Sequence, residues 1–326
     1  SGFIGYHVCK YFLEKNINVI GIDNHNNYYD EKLKKKRCAK LLKFKNFLFK
    51  KIDIRKHVEV QNIFRKYKPK VIIHLAAQPG VRYSFINPQA YVDINITGFV
   101  NILESMKKNK LDKLIYASSS SVYGNCKKFP FKEDLQLEPL NFYGQTKLMN
   151  EKIASIFQKN FNLKAVGLRF FTVYGPFGRP DMALFKFTSN ILKGLPIQVF
   201  NNGNHIRDFT YIDDIVDGIT ACISYIFSED ITWDAANPSP EKSSAPYRIF
   251  NLGNSKPVKL LEYVKIIEEL LNKKAIVEYL PLQKGDVVST ESDISLAKRE
   301  LGFNPKTNIK EGIGNFLEWY KDYYKC

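Results

Sequence analysis

Tyr143-Gly144-Gln145-Thr146-Lys147 follows the serine run Ser118-Ser119-Ser120-Ser121, and these two stretches decide how the chain is read. A tyrosine and a lysine four residues apart share one helix face, roughly 5–6 Å apart at Cβ. An ammonium that close favours the phenolate and lowers the tyrosine pKa. Such a tyrosine is suited to take a hydroxyl proton near neutral pH. Alone, the spacing also describes an ordinary surface pair. Its weight comes from the serines that end the apolar strand Leu114-Ile115-Tyr116-Ala117, and from a chain that opens on glycines. Together these point to oxidation of a hydroxyl by a dinucleotide.

Ser1-Gly2-Phe3-Ile4-Gly5 opens a helix expected to run to Glu14. Glycines three apart let a backbone turn approach a pyrophosphate, with the helix N-terminus supplying N–H donors. A strand and a further glycine are expected ahead of this turn; the chain as given begins after them. Val19-Ile20-Gly21-Ile22-Asp23 is a short apolar strand ending in a carboxylate 18 residues after Gly5. An acidic residue there binds the adenosine ribose hydroxyls. Asn24, not an arginine, follows Asp23, and the carboxylate repels a 2′-phosphate, so NAD is favoured over NADP. Phe47 to Ile52 is expected as a strand leading to Asp53, a candidate for the adenine edge. Val71-Ile72-Ile73-His74-Leu75 is the next, followed by the small pair Ala76-Ala77. Helices fit between them, at His57–Tyr67 and at about Pro88–Asn109 with Asn95 inside. Strands alternating with helices predict an α/β fold, a doubly wound parallel sheet. Ligands then gather at the strand C-terminal ends, where Asp23, Asp53, Ala76 and Ser118 to Ser121 all fall.

The net charge of +16 includes only nine arginines, and the lysines are spread along the chain. That distribution reads as compositional bias, not a nucleic-acid face, and no recognition module of that kind is present. The densest run, Lys32 to Lys45, reads as a solvated helix or loop. Five widely spaced cysteines without C-x-x-C fit a reducing, cytoplasmic setting and no metal site. The five histidines show no ligand spacing either. No apolar run is long enough to span a membrane.

From Pro176 the pattern changes. Met182–Lys193 is expected as a helix, Ile197-Gln198-Val199-Phe200 as a strand and Asn201-Asn202-Gly203-Asn204 as a turn. Tyr211–Phe227 is read as a return to the first lobe, Asp230–Pro246 as a surface loop and Arg248–Gly253 as another strand. Lys259–Leu271 and Ile309–Tyr320 are amphipathic helices. Residues 1–175, with 209–253 returning, form the expected dinucleotide-binding domain, and 176–326 the smaller substrate lobe.

On these motifs the chain resembles extended short-chain dehydrogenases/reductases that act on nucleotide sugars, the NAD-dependent epimerase/dehydratase family. The finer motifs resemble the members that epimerise UDP-glucuronate. They are Gly21-Ile22-Asp23-Asn24 with Asn27-Tyr28-Tyr29-Asp30, Ala76 to Ser84, Leu168 to Pro176, Gly178 to Ala183, Arg207 to Ile215, and Ser243-Ser244-Ala245-Pro246-Tyr247-Arg248. The resemblance covers the whole chain. It implies that Gly2, Phe3, Ile4 and Gly5 contact the pyrophosphate of NAD, that Asp23 and Asn24 hold the ribose, and that Asp53 with Ile54 meets the adenine. Leu75, Ala76, Ala77, Ser118 and Phe170 line the cofactor, with Asn95 beneath it. Lys147 binds the nicotinamide ribose and Tyr143 is the base. Ser119 or Ser120 hydrogen-bonds the reacting oxygen, and the run of identical residues leaves that choice open. On the substrate side, Phe200 stacks on uracil, Arg207 pairs with the diphosphate, and Arg82, Ser84, Thr172, Gln283 and Asp286 lie near the UDP-sugar.

The implied reaction is NAD-dependent 4-epimerisation of a UDP-uronic acid through a 4-keto sugar, by a homodimer with no membrane or nucleic-acid partner. A 4-ketone is beta to the C-6 carboxylate, and beta-keto acids lose carbon dioxide. The enzyme must therefore hold that carboxylate out of line with the carbonyl. A bidentate arginine does this; Arg179 is the first choice and Arg82 the second, against a plain Arg179–Asp181 loop pair. Decarboxylation of UDP-glucuronate, epimerisation of UDP-glucose, and non-catalytic nucleotide binding are the alternatives.

Overall fold

A computed structural model describes residues 1–225, 233–244 and 246–326 of the chain. Phe227, Asp230 and Ala245, which fall in expected segments, lie outside the described residues. Eleven strands are found among the described residues. They are β1 (Val19–Asp23), β2 (Phe47–Lys51), β3 (Ile72–His74), β4 (Lys113–Ser119), β5 (Lys164–Phe170), β6 (Thr172–Tyr174), β7 (Ile197–Phe200), β8 (Ile206–Tyr211), β9 (Tyr247–Leu252), β10 (Pro257–Lys259) and β11 (Val277–Leu280).

The central sheet is parallel, in the order β3-β4-β5-β9. Its strands alternate between two apolar layers, as the pleat requires. Leu114 and Tyr116 of β4 and Ala165 of β5 face Val60 and Phe64 of helix His57–Tyr67 and Phe99, Ile102, Leu103 and Met106 of helix Gly98–Lys108. Ile115, Val166 and Leu168 face Val8 of helix Phe3–Glu14 and Ile215, Val216 and Ile219 of helix Ile212–Ala221. Helices thus cover both faces, and the sheet is doubly wound as expected. Strands buried on two sides read as continuous apolar runs.

β1 and β2 form a separate parallel pair. β5 was not expected as a strand. It contains Gly167 and Arg169, and Arg169 is fully buried, so an apolar pattern alone does not mark it. β9 returns to the sheet beside β5, whereas β8 pairs with β6 and β10 in a three-stranded sheet. β7 pairs with β11. The largest apolar cluster joins helices Phe3–Glu14 and Glu31–Leu41 to Ala183–Lys193, Leu260–Leu271 and Ile309–Tyr324.

Two expectations change here. The lysine-rich run is the helix Glu31–Leu41, which buries Leu33, Arg37 and Leu41 and so is not simply solvated. Arg37 donates to the carbonyls of Ser1, Phe177 and Gly178 and to the Tyr29 hydroxyl, tying the glycine turn to the second lobe. The single helix expected over Pro88–Asn109 is instead Pro88–Tyr91, a π-helical turn Val92–Thr97 and then Gly98–Lys108. π-Turns inside helices mark places where a side chain is re-aimed, and this one carries Asn95.

Candidate active site

Tyr143 and Lys147 lie in the first turns of helix Phe142–Phe161. Asn141 caps it: its Oδ1 accepts from Gly144 N at 2.8 Å, satisfying one of the unpaired amides of the first turn. Gly144 is needed for another reason. A Cβ there would stand 2.5 Å from the carbonyl oxygen of Ser121, so only glycine lets the helix start this close to the serine turn.

That approach sorts the serines. Ser118 points away from Tyr143 and donates to Glu151 Oε1 at 2.5 Å, so its hydroxyl does not line the cofactor as implied. Ser119, the last residue of β4, donates to Ser121 Oγ and accepts from Ser121 N, both at 3.2 Å, and its hydroxyl draws the Tyr143 pKa down. Of Ser119 and Ser120, Ser119 is the one that acts on Tyr143.

The expected effect of Lys147 on Tyr143 is not found. Lys147 is buried, and its ammonium donates to the carbonyl of Ala117 at 2.8 Å. Burial lowers its pKa to about 8, against the opposing pull of Glu151 one turn on. Burial also raises the Tyr143 pKa, and it is the Ser119 hydrogen bond and the charge of Arg179 that pull it partly back. In this state Tyr143 is a neutral phenol.

Behind the two residues lies a fully paired polar network. Glu151 receives Arg169 Nε at 3.0 Å and Nη2 at 2.9 Å, besides Ser118. Arg169 continues to the Tyr123 hydroxyl and the Glu133 carbonyl. Tyr123 donates to Asn251 Oδ1, and the Asn251 backbone N–H donates to Glu133 Oε1. Buried charges of this kind are tolerable because every member is paired. Sequence reasoning did not mark Glu151 or Arg169; a Glu four residues beyond Lys147 was the available signal.

Asn95 accepts from Gln78 N at 2.8 Å and donates to Thr146 Oγ1 at 3.0 Å. It fastens the loop after β3 to the tyrosine helix. Leu75, Ala76 and Ala77, at the start of that loop, are half-buried. Phe170, Phe3 and Ile54 turn their side chains into the core, and Ile54 packs where Gly98 leaves room. Contacts from these three, and from Ile4, which packs on two apolar clusters, would be made by backbone.

The residues near Ser1 suit a dinucleotide. Added Cβ atoms at Gly2 and Gly5 would meet nothing within 4 Å, so both glycines face open space at the start of a helix. That helix has no acidic residue in its first turn and no side-chain cap, leaving amides for an anion. Asp23 accepts from His25 N at 2.7 Å. Asn24 donates to Asp53 at 3.0 Å. Asp53 also takes both Arg55 donors, at 3.0 and 2.7 Å, which with Asn24 hold its carboxyl at about 2 despite burial. Arg55 as the partner of Asp53 was not foreseen.

The arginines form two centres, of which one adjoins the tyrosine. Arg179 donates Nε to Asp181 Oδ1 at 3.0 Å and Nη2 to Oδ2, and the Tyr28 hydroxyl donates to the same carboxylate at 3.3 Å. Burial works against the Arg179 charge, but Asp181 raises its pKa overall. The loop pair set against the clamp in sequence analysis is therefore present, and Arg179 also acts on Tyr143 electrostatically. The second centre holds Arg207, Phe200, Arg82 and Asp286. Arg82 stacks 4.5 Å above the Phe200 ring and reaches Asp286 at 3.5 Å. This sets Arg82, the second choice for the carboxylate, beside Phe200 and Asp286, two of the residues expected at the nucleotide. Arg207 donates to the carbonyls of Ile206, Val287 and Val288. Gln283 Oε1 is buried with no partner. Ser84 is buried and spends its hydroxyl on Val81 O at 2.6 Å, so it does not reach toward a sugar. Thr172 opens β6 and is half-buried. The loop from Gln78 to Asn87 links the centres: Arg82 serves one, while Tyr83 packs on Tyr28 and Tyr91, and Tyr91 on Tyr143, in the other.

Among the described residues no His, Cys, Asp or Glu group could hold a metal, and no helix is long and apolar enough to cross a membrane. All five cysteines are free.

The family model for NAD dependent epimerase/dehydratase proteins matches residues 1–231. Protein CapI of Staphylococcus aureus is 45% identical over 326 residues, covering 100% of this chain and 97% of that protein. UDP-glucuronate 4-epimerase 4 of Arabidopsis thaliana is 43% identical over 330 residues, covering 99% of this chain and 74% of that one. The crystal structure of UDP-glucuronic acid 4-epimerase from Bacillus cereus, with UDP-glucuronic acid and NAD, superposes with a TM-score of 0.89 at 34% identity, covering 99% of this chain and 97% of that one.

Proposed function

The chain belongs to the NAD dependent epimerase/dehydratase family, and from that premise we propose that it converts UDP-glucuronate to UDP-galacturonate by NAD-dependent 4-epimerisation. The observation that carries this reading is the meeting of Ser119, Tyr143 and Arg179 at one place: a hydroxyl pair for a sugar oxygen, beside a cation for a carboxylate. The Bacillus cereus epimerase solved with UDP-glucuronic acid and NAD supports the choice of substrate and cofactor.

NAD, held by the Gly2–Gly5 turn, Asp23 and Lys147, supplies when bound a reversible hydride acceptor for C-4 and a positive charge beside Tyr143. Within the chain, Ser119 and Arg179 draw the Tyr143 pKa down against its burial. Tyr143 takes the proton of the 4-hydroxyl while Ser119 holds the same oxygen. After the 4-keto sugar has turned over on its diphosphate link, Tyr143 returns the proton. Arg179 holds the C-6 carboxylate out of line with the ketone, and Arg207 keeps the diphosphate in place throughout. Phe200, whose ring carries the Arg82 guanidinium at 4.5 Å, stacks on uracil. Residues 1–175 and 209–253 carry the cofactor in this reading, and 176–326 the nucleotide sugar.

The active species is a homodimer in the cytoplasm. Phe142, Met149 and Ile156 form an exposed apolar stripe at seven-residue spacing along the tyrosine helix, which supports a face shared with a second copy. The free cysteines agree with a reducing compartment.

Proton NMR of UDP-glucuronate incubated with the chain and NAD⁺ tests the reaction. UDP-galacturonate signals are expected. A pentose product would assign decarboxylation and remove the clamp role from Arg179.

A further inference from the structure

Arg179 already carries a carboxylate. Asp181 takes the Nε and Nη2 edge of the guanidinium, and Tyr28, 153 residues away in sequence, donates to Asp181 at 3.3 Å. Tyr28 is itself fixed. Its ring packs 5.3 Å from Tyr83, and its hydroxyl lies over Gly80, at φ +96°, in the space a Cβ would need. Burial pushes the Asp181 carboxyl up, but Arg179 and the hydrogen bonds bring it below its ordinary value, so it is ionised at neutral pH. Neither Asp181 nor Tyr28 has a part in the proton transfers described above.

We propose that Asp181, held by Tyr28, is a specificity-determining residue: an internal carboxylate that holds the Nε and Nη2 edge of Arg179 and competes with the C-6 carboxylate of a uronate for that guanidinium. This rests on the reading of Arg179 as the uronate clamp. A second carboxylate drawn to the same guanidinium sets two like charges a few ångströms apart in a partly buried place, which weakens the binding of both. A neutral sugar presents no such charge and meets no such competition. The competitor also serves turnover. The sugar must turn between the two hydride transfers, and a clamp that binds too tightly would hold it in one orientation. Asp181 gives Arg179 a partner while the sugar moves, so uronate affinity is traded for rate.

Calorimetry and steady-state kinetics on the NAD-loaded chain, with UDP-glucuronate and UDP-glucose as probes, test this in wild type, Asp181→Asn and Tyr28→Phe. Asp181→Asn keeps an acceptor oxygen and removes the charge. Its Kd and KM for UDP-glucuronate should fall roughly fivefold, as expected for removing one nearby like charge in a partly screened site, while kcat falls and UDP-glucose affinity stays unchanged. Tyr28→Phe should move uronate affinity the same way by a smaller factor. Unchanged or weaker uronate binding by Asp181→Asn, with UDP-glucose affinity retained, overturns the inference, because Asp181 would then only position Arg179. If Asp181→Asn does not fold, an unshifted Tyr28→Phe overturns it. Arg179→Ala separates the two readings: loss of uronate affinity there, with no response at Asp181 or Tyr28, sinks only this inference, and no loss at Arg179 sinks the clamp itself.

Discussion

Arg179, beside Tyr143, gives its guanidinium fork to a carboxylate, whereas Arg207, at the Phe200 end, gives its donors to three carbonyl oxygens. The consequence is electrostatic. At Arg179 burial is outweighed by Asp181, and the proton is held more tightly than in water. At Arg207 burial dominates, opposed by Asp286 and reinforced by Arg82, and the pKa drops to about 10. Both guanidinium groups stay charged at neutral pH. Carbonyls orient a guanidinium without neutralising it, so Arg207 is a fixed cation lacking a full counter-charge, which suits a diphosphate that stays bound through the reaction. Arg179 is already compensated, which suits a carboxylate that must be exchanged.

The largest expected effect removes the chemistry and leaves both arginines in place. Tyr143→Phe should lower turnover by about 10²–10⁴-fold, the range for losing a general acid–base, with UDP-glucuronate affinity by calorimetry unchanged. If affinity fell with the rate, Tyr143 would belong to the binding apparatus and the two-centre description would be too simple. Next, Arg207→Met should weaken every UDP-sugar alike, by roughly a hundredfold, as for loss of one partner of a buried charge pair. A loss confined to uronates would exchange the roles of the two arginines. Arg179→Ala should raise KM for UDP-glucuronate about tenfold, a factor within the usual value of a charge-assisted pair, or release carbon dioxide, while UDP-glucose is unaffected.

Lys147 gives the smallest effect and a third case to set beside the arginines. Like Arg207 it donates to a carbonyl, and burial brings its pKa down to about 8. Because the folded value lies below the ordinary lysine value of 10.5, the unfolded chain binds more protons between these limits. Stability owed to this group therefore rises with pH from about 8 upward, and its penalty is fully present below 8, by at most ~1.4 kcal/mol per pH unit. Urea unfolding of wild type and Lys147→Met at pH 7 and pH 9 should show the difference moving in favour of wild type at the higher pH. A constant difference would mean that Glu151 compensates Lys147 as fully as Asp181 compensates Arg179.

The sheet was legible where burial on two faces leaves an unbroken apolar run, as in β3 and β4. It was illegible in β5, where Arg169 interrupts the run because its charge is met inside the fold by Glu151. At the site, Tyr143, Lys147 and the glycine turn stand out in the sequence because each is a pattern of fixed local spacing. The partners that set their charge do not. Tyr28 reaches Asp181 across 153 residues, and Arg82 sits beside Phe200 only because the loop after β3 folds toward the second lobe. The expectation that Lys147 lowers the Tyr143 pKa failed for a related reason: spacing put the two side chains on one face, but the ammonium turns to the Ala117 carbonyl.

Ser118 and Ser119 hold opposite duties, one bonded to Glu151 in the scaffold and one to Tyr143. To any comparison of letters, Ser118 to Ser121 are four equal symbols, and an alignment slides by one without a mismatch. The pleat breaks that degeneracy, since a one-residue slip turns each side chain to the other face. A deletion of any one of the four would produce the same shortened sequence, and which hydroxyl then met the tyrosine would be decided by strand register alone. Information that the alphabet stores redundantly is stored only once in the geometry.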